Sequence, residues 1–140
     1  MAYRWMIDEL HVRLRQRGWT DVRPSYGFVL LVVRTRPVTP TALAAELGVT
    51  KQAASKLADT MADAGLLTRV VDDRDTRQRL LALDRRGHAL LAEVERIYDE
   101  LESELAELIG SNALEQTRTR LARIVLATHG EQFPTIRPSP

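Results

Sequence analysis

The chain has 140 residues, a length that fits one domain, and 44% of them are hydrophobic, enough to supply a core. Its net charge is only +1, so coating nucleic acid by bulk charge is excluded and any such role must come from local clustering. It has no cysteine, which excludes a thiol redox switch, a disulfide and a cysteine-based metal site.

No apolar run approaches the roughly 20 residues of a membrane span. The N-terminal stretch carries acids and arginines throughout and lacks the apolar core of a secretory signal. The expectation is therefore a cytoplasmic protein with no membrane partner.

Residues 3–17 carry Trp5, Met6, Ile7, Leu10 and Leu14, spaced mainly by three and four. This predicts an amphipathic helix ended by Gly18. Residues 25–35 are continuously apolar in the middle, which fits a buried strand or a buried helix. The helical neighbourhood favours the helix, with Ser25 as its N-cap. Thr39 and Pro40 then have the character of an N-cap and a first helical residue. Leu43, Ala44 and Leu47 form an apolar stripe, and Gly48 suits a left-handed helix end.

Thr50 is placed to cap a second helix, which Gly65 ends. Ala54, Leu57, Ala58 and Met61 would face inward, opposite Lys51, Gln52, Ser55, Lys56 and Asp59. Two strand-like segments, 66–71 and 78–83, flank the acid–arginine run DDRDTR and predict a β-hairpin. Asp84 is placed to cap a long helix over about 85–109, with Gly87 inside its first turn. Gly110, Ser111 and Asn112 interrupt the pattern, with Ser111 or Asn112 as the next cap. A last helix reaches about Thr128, and the proline-rich 130–140 segment is expected to be a flexible tail.

Two short helices joined by a tight glycine turn make a helix-turn-helix. Ala44 lets the helices approach, Gly48 permits the turn, and Val49, Ala54 and Leu57 fill the shared core. Such a hairpin by itself is equally often only a packing unit. An arginine-tipped β-hairpin immediately after it turns the pattern into a winged helix.

On the exposed face of the second helix, Gln52 and Ser55 suit hydrogen bonds to base edges, while Lys51 and Lys56 suit phosphates. The helix start at Thr50 also favours a phosphate. The wing offers Arg74, Arg77 and Arg79 beside Asp72, Asp73 and Asp75. Arginines there suit a narrow minor groove, where negative potential is concentrated. The carboxylates are expected to hold one arginine while another is offered, although Asp72 and Asp73 also read as plain turn residues.

From about Thr39 to Leu91 the chain resembles the MarR family of winged-helix transcription regulators. The stretches TALAAELGVTKQAASKLADTMADAGLLTR and DDRDTRQRLLALDRRG carry the resemblance. The family's wing has a D-x-R element, matched here by Asp75-Thr76-Arg77. The resemblance implies that Arg77 enters the minor groove and that Asp75 holds the arginines in place. Two departures stand out: Leu83-Asp84 where the family often has Leu-Thr, and a short stretch before the helix-turn-helix, which implies a clipped first helix.

The resemblance further implies a homodimer in which terminal helices of two subunits interleave. The expected fold class is therefore mainly α with a small β wing, in a single MarR-like domain spanning 1–140. Residues 25–84 would form the DNA-binding part, and 1–20 with 85–129 the helical dimerisation part. The expected partners are double-stranded DNA with a pseudo-palindromic site, a second copy of the chain, and a small aromatic or anionic effector. For that effector Trp5, His11, Trp19, Tyr26 and Phe28 are wall candidates, although each reads more readily as core or interface.

No enzyme is expected. The sequence has no recognisable Ser–His–Asp spacing and no phosphate loop. His11, His88 and His129 form no spaced ligand set with carboxylates, so neither a metal nor another cofactor is called for. The competing reading is a dimeric winged-helix interaction module that no longer binds DNA.

Overall fold

The structure is a computed structural model that describes residues 2–128. It contains six helices and one hairpin among those residues. In chain order they are α1 (Ala2–Gln16), α2 (Pro24–Val33), α3 (Pro40–Leu47), α4 (Lys51–Asp63), β1 (Leu67–Val71), β2 (Arg79–Leu83), α5 (Arg85–Ile109) and α6 (Ser111–Thr128). The architecture is mainly helical with a two-stranded wing, as the sequence indicates. The tail expected over 130–140, and His129, lie outside the described residues.

Local chemistry explains most boundaries. The Thr39 hydroxyl accepts from Ala42 N–H at 3.0 Å, and the Thr50 hydroxyl from Ala53 N–H at 3.1 Å, so both short helices begin on side-chain caps. Gly48 closes α3 at φ 66°, a left-handed conformation that costs glycine nothing. The Asp84 carboxylate accepts from Arg85 N–H at 2.7 Å and starts α5.

Two expected caps are not used. Helix α2 starts one residue before Ser25: Pro24 is its first residue and Arg23 the N-cap position, with no side-chain cap bond. Proline's fixed φ and missing N–H make it the better first residue there. Ser111 is likewise the first residue of α6 rather than its cap, and Asn112 lies inside the helix. The break falls on Gly110 alone, at φ 88° and ψ 139°, and its carbonyl accepts from Leu114 N–H at 3.0 Å.

The hairpin is antiparallel, with Leu67 opposite Leu83 and Val71 opposite Arg79. Val38, between α2 and α3, adds a bridge to Leu81 through bonds of 2.7 and 3.0 Å, so the wing is fastened to the chain upstream of the helix-turn-helix. One core unites these elements. Leu14, Val29, Leu30, Leu43, Ala54, Ala58, Met61, Leu66, Leu81, Leu90, Ile97 and Leu101 are all at most 2% exposed.

Helix α1 lies along α5, and arginines stitch the seam. Arg13 reaches Glu9 at 3.0 Å, Glu104 at 2.8 Å and Glu100 at 3.5 Å. Arg17 reaches Glu93 and Glu100 at 2.6 Å each. Helix α6 packs on α5 and buries no residue. Leu108, Leu121 and Ile124 stand 78, 58 and 60% exposed on this arm.

Candidate nucleic-acid interface and adjoining cavity

The α3–α4 pair sets one face of α4 inward, where Ala54, Ala58 and Met61 are buried. Helical geometry then turns the intervening residues outward. Lys51, Gln52 and Lys56 are exposed, Ser55 is half-buried, and Thr50 sits at the helix start. The five predicted residues therefore share the first two turns of α4. Ala53 between them is exposed and small, which leaves this surface low enough to approach a groove.

The wing tip, 72–78, is exposed apart from a half-buried Asp72. Its carboxylates do something other than expected. Asp72 Oδ1 accepts from the backbone N–H of Arg74 at 2.9 Å, and Asp75 Oδ1 from the backbone N–H of Arg77 at 3.0 Å. Gln78 N–H adds a bond to the Asp75 carbonyl at 2.9 Å. These are Asx turns, in which a side-chain oxygen shapes the backbone two residues on. No ion pair ties Arg74, Arg77 or Arg79 to the wing carboxylates among the described residues. Asp75 fixes the loop that carries Arg77 rather than the guanidinium itself, because a short side chain meets the nearby N–H before it can meet a long solvated arginine.

Sequence reading missed one link between wing and helix. Arg69 on β1 pairs with Asp59 on α4. Alternating strand exposure could have placed Arg69 outward, but its partner lies on a separate element and leaves no local signal.

A cavity of about 290 Å³ with mostly apolar walls lies between α1, α2 and α5. Ile7, Leu10, Leu14, Phe28, Leu90 and Val94 line it, together with Arg23, His11 and Tyr98. Burial, helped by Arg15 and opposed by Asp8, holds the His11 imidazole below its ordinary pKa, so the ring favours the neutral form. Of the five aromatic or histidine residues proposed for such a wall, His11 and Phe28 line it. Trp5, Trp19 and Tyr26 do not. Trp5 is 44% exposed on α1, Trp19 packs under Arg86, and Tyr26 is buried in the core. The helical phase of α1 and α2 decides this: Trp5 and Tyr26 each stand on a face that turns away from the cavity.

No group of three or more acidic or histidine side chains suited to a metal occurs among the described residues. Among those residues no helix is long and apolar enough to cross a membrane.

Comparison with known proteins matches residues 20–78 to the MarR family. No curated protein matches the chain. Solved structures match over nearly its whole length. YusO of Bacillus subtilis is 19% identical, with a TM-score of 0.70 over 90% of this chain and 88% of that one. MepR of S. aureus is 24% identical in both of two complexes. A point mutant bound to an oligodeoxyribonucleotide gives a TM-score of 0.64 over 91% of this chain and 93% of that one. The ethidium-bound form gives 0.68 over 91% of each. The repressor CouR, bound to a 23-mer DNA duplex, is 25% identical, with a TM-score of 0.65 over 88% of this chain and 86% of that one.

Proposed function

We propose that this MarR-family winged-helix protein is a homodimeric, sequence-specific DNA-binding regulator of transcription, acting as a repressor in the cytoplasm. Helix α4 occupies the major groove through Thr50, Lys51, Gln52, Ser55 and Lys56. The wing brings Arg74, Arg77 and Arg79 to the minor groove on a loop that Asp75 shapes. The observation that carries this reading is the pairing of an exposed polar α4 face with wing arginines that form no ion pair among the described residues. The same observation speaks against an interaction module that has lost DNA. The DNA complexes of the similar proteins MepR and CouR support the reading, and CouR's description as a repressor supports the sign of regulation.

The exposed leucines and isoleucine of α5 and α6 support assembly of two chains. A two-fold dimer then reads a pseudo-palindromic site, with recognition helices about 34 Å apart, one turn of DNA. Repression follows from occupying a promoter. The α1–α2–α5 cavity accepts a small effector with an aromatic or aliphatic body, and Arg23 suits an anionic end. Its binding releases the DNA.

The test is a fluorescence-anisotropy titration against the DNA upstream of the protein's own gene and a scrambled control, at two salt concentrations. Tight, salt-sensitive binding to the first alone is expected. Where that fragment gives nothing, selection of duplexes from a random pool decides. Failure to enrich any sequence would overturn the reading.

A further inference from the structure

Three contacts join the start of α5 to residues 64–66, which follow α4. Asp84 N–H donates to the Leu66 carbonyl at 3.0 Å. Gly87 approaches so closely that a Cβ there would lie 2.0 Å from that same oxygen. Arg86 Nη1 donates to the carbonyl of Ala64, the C-cap residue of α4, at 2.7 Å.

The Arg86 guanidinium also reaches a third segment. Its Nη1 and Nη2 bond the two oxygens of Asp21 at 2.9 and 2.8 Å, and its carbon lies 5.0 Å from the Trp19 ring centroid. Asp21 and Trp19 belong to the connection between α1 and α2. The next two residues of that connection, Val22 and Arg23, and the first residue of α2, Pro24, line the cavity. Trp19 N–H is in turn anchored on the carbonyl of Leu14, another wall residue, at 2.9 Å. One side chain thus stands between the cavity wall and the last turn of α4.

We infer that Arg86 is the positioning residue through which occupancy of the α1–α2–α5 cavity reaches the recognition helix. This rests on the reading above, in which α4 contacts DNA and the cavity takes the effector. The chemistry favours transmission. A guanidinium is a rigid planar fork, and a two-point bond to a carboxylate fixes direction as well as distance. The Trp19 face below it removes one further degree of freedom. Moving the 19–23 connection therefore moves the guanidinium, and with it the hydrogen bond to the C-cap carbonyl of α4. Exposed ion pairs add little to stability, so the coordinated set of contacts is better explained by geometry than by energy. The Asp21 carboxyl sits below its ordinary pKa because Arg86 hydrogen-bonds its charged form, which keeps the fork engaged at neutral pH.

The test uses the full chain and a side chain as the probe of the cavity. Gly27 lies on the wall, and a Cβ added there meets nothing within 4 Å, so Gly27→Leu fills space without a backbone clash. NMR hydrogen exchange is read at Ala64, Gly65 and Leu66, whose amides bond to Thr60, Ala62 and Met61 at the end of α4. Gly27→Leu is expected to change these rates by roughly threefold or more, a modest coupling between neighbouring groups. In the Arg86→Gln background the same substitution should change them by less than the error. Arg86→Lys, which keeps the charge and loses the fork, should fall between.

A merely structural arginine would shift exchange by one factor in both backgrounds and leave the Gly27→Leu effect intact; that result overturns the inference. So does the absence of any effect of Gly27→Leu in the otherwise unchanged chain. Asp21→Asn gives the same readout should Arg86→Gln fail to fold. These measurements contain no DNA, so failure to select a duplex would remove the recognition role of α4 without altering the exchange result.

Discussion

Helices α4 and α6 are both amphipathic, yet they end in opposite situations. Helix α4 buries Ala54, Ala58 and Met61 within its own chain and leaves a polar face outside. Helix α6 buries nothing and leaves Leu121 and Ile124 more than half exposed. The outward face of α4 is thus polar, although Val49 in the preceding turn and Val71 on the wing are also exposed. The α5–α6 end presents Leu108, Leu121 and Ile124 to solvent, the side chains that the proposed dimer would cover. In the proposed reading, a single chain then holds the DNA-contacting end, the head, and leaves the second end, the seam, to another copy.

The strongest challenge to this contrast is Gly87→Ala. A methyl group 2.0 Å from the Leu66 carbonyl must force α5 away from the segment that follows α4, so a loss on the order of 3 kcal/mol is expected in urea denaturation. Unchanged stability would mean that the head is not held at this junction. The seam is addressed by Leu121→Glu with Ile124→Glu. Loss of dimer in sedimentation is expected, at about 2–4 kcal/mol of association energy, with the helical circular dichroism of the head retained. A dimer that persists would place the interface elsewhere.

Two substitutions separate the roles within the head. Gln52→Ala should cost about 1–3 kcal/mol on the preferred sequence and relax discrimination, whereas Arg77→Ala should weaken all duplexes alike and flatten the salt dependence. Equal binding by Arg77→Ala and the parent protein would remove the wing from the interface. Thr50→Ala removes the α4 cap and should lower stability by about 1 kcal/mol in the same denaturation assay.

The smallest effect is on pH. Arg86 holds the Asp21 carboxyl below its ordinary pKa, and Arg13 does the same for Glu104. Folding therefore gains from both groups above the unfolded carboxylate range, near pH 4, and loses that gain as pH falls through the depressed values. Acid melting curves of Asp21→Asn should show a shallower decline below pH 4 than those of the parent chain.

Features that depend on residues close in sequence were legible. Thr39, Thr50 and Asp84 cap helices because a short oxygen-bearing side chain meets an amide at most three residues away. Ser25 misled because the adjacent Pro24 competes for the helix start, and the rule that placed Pro40 as a first residue applies there equally. Asp75 was rightly tied to Arg77, but to its backbone, since residue type alone does not say which end of an arginine a carboxylate meets. The Arg86–Asp21 pair spans 65 residues, and no periodicity or spacing announces it. The cavity was foreseen only as a set of aromatic residues, because its walls depend on how α1, α2 and α5 cross.

The junction of α5 with the residues that follow α4 also has a mechanical side. Helix α5 has 25 residues and so behaves as a rod about 37 Å long. The reading helix is fastened to one end, and the apolar arm begins at the other. If the arm is clamped against a second copy, a tilt of only about 5° swings the fastened end by roughly 3 Å, close to the 3.4 Å rise of one base pair. In the proposed dimer, the two α4 helices would therefore fall out of step with a DNA duplex through a rotation of only a few degrees.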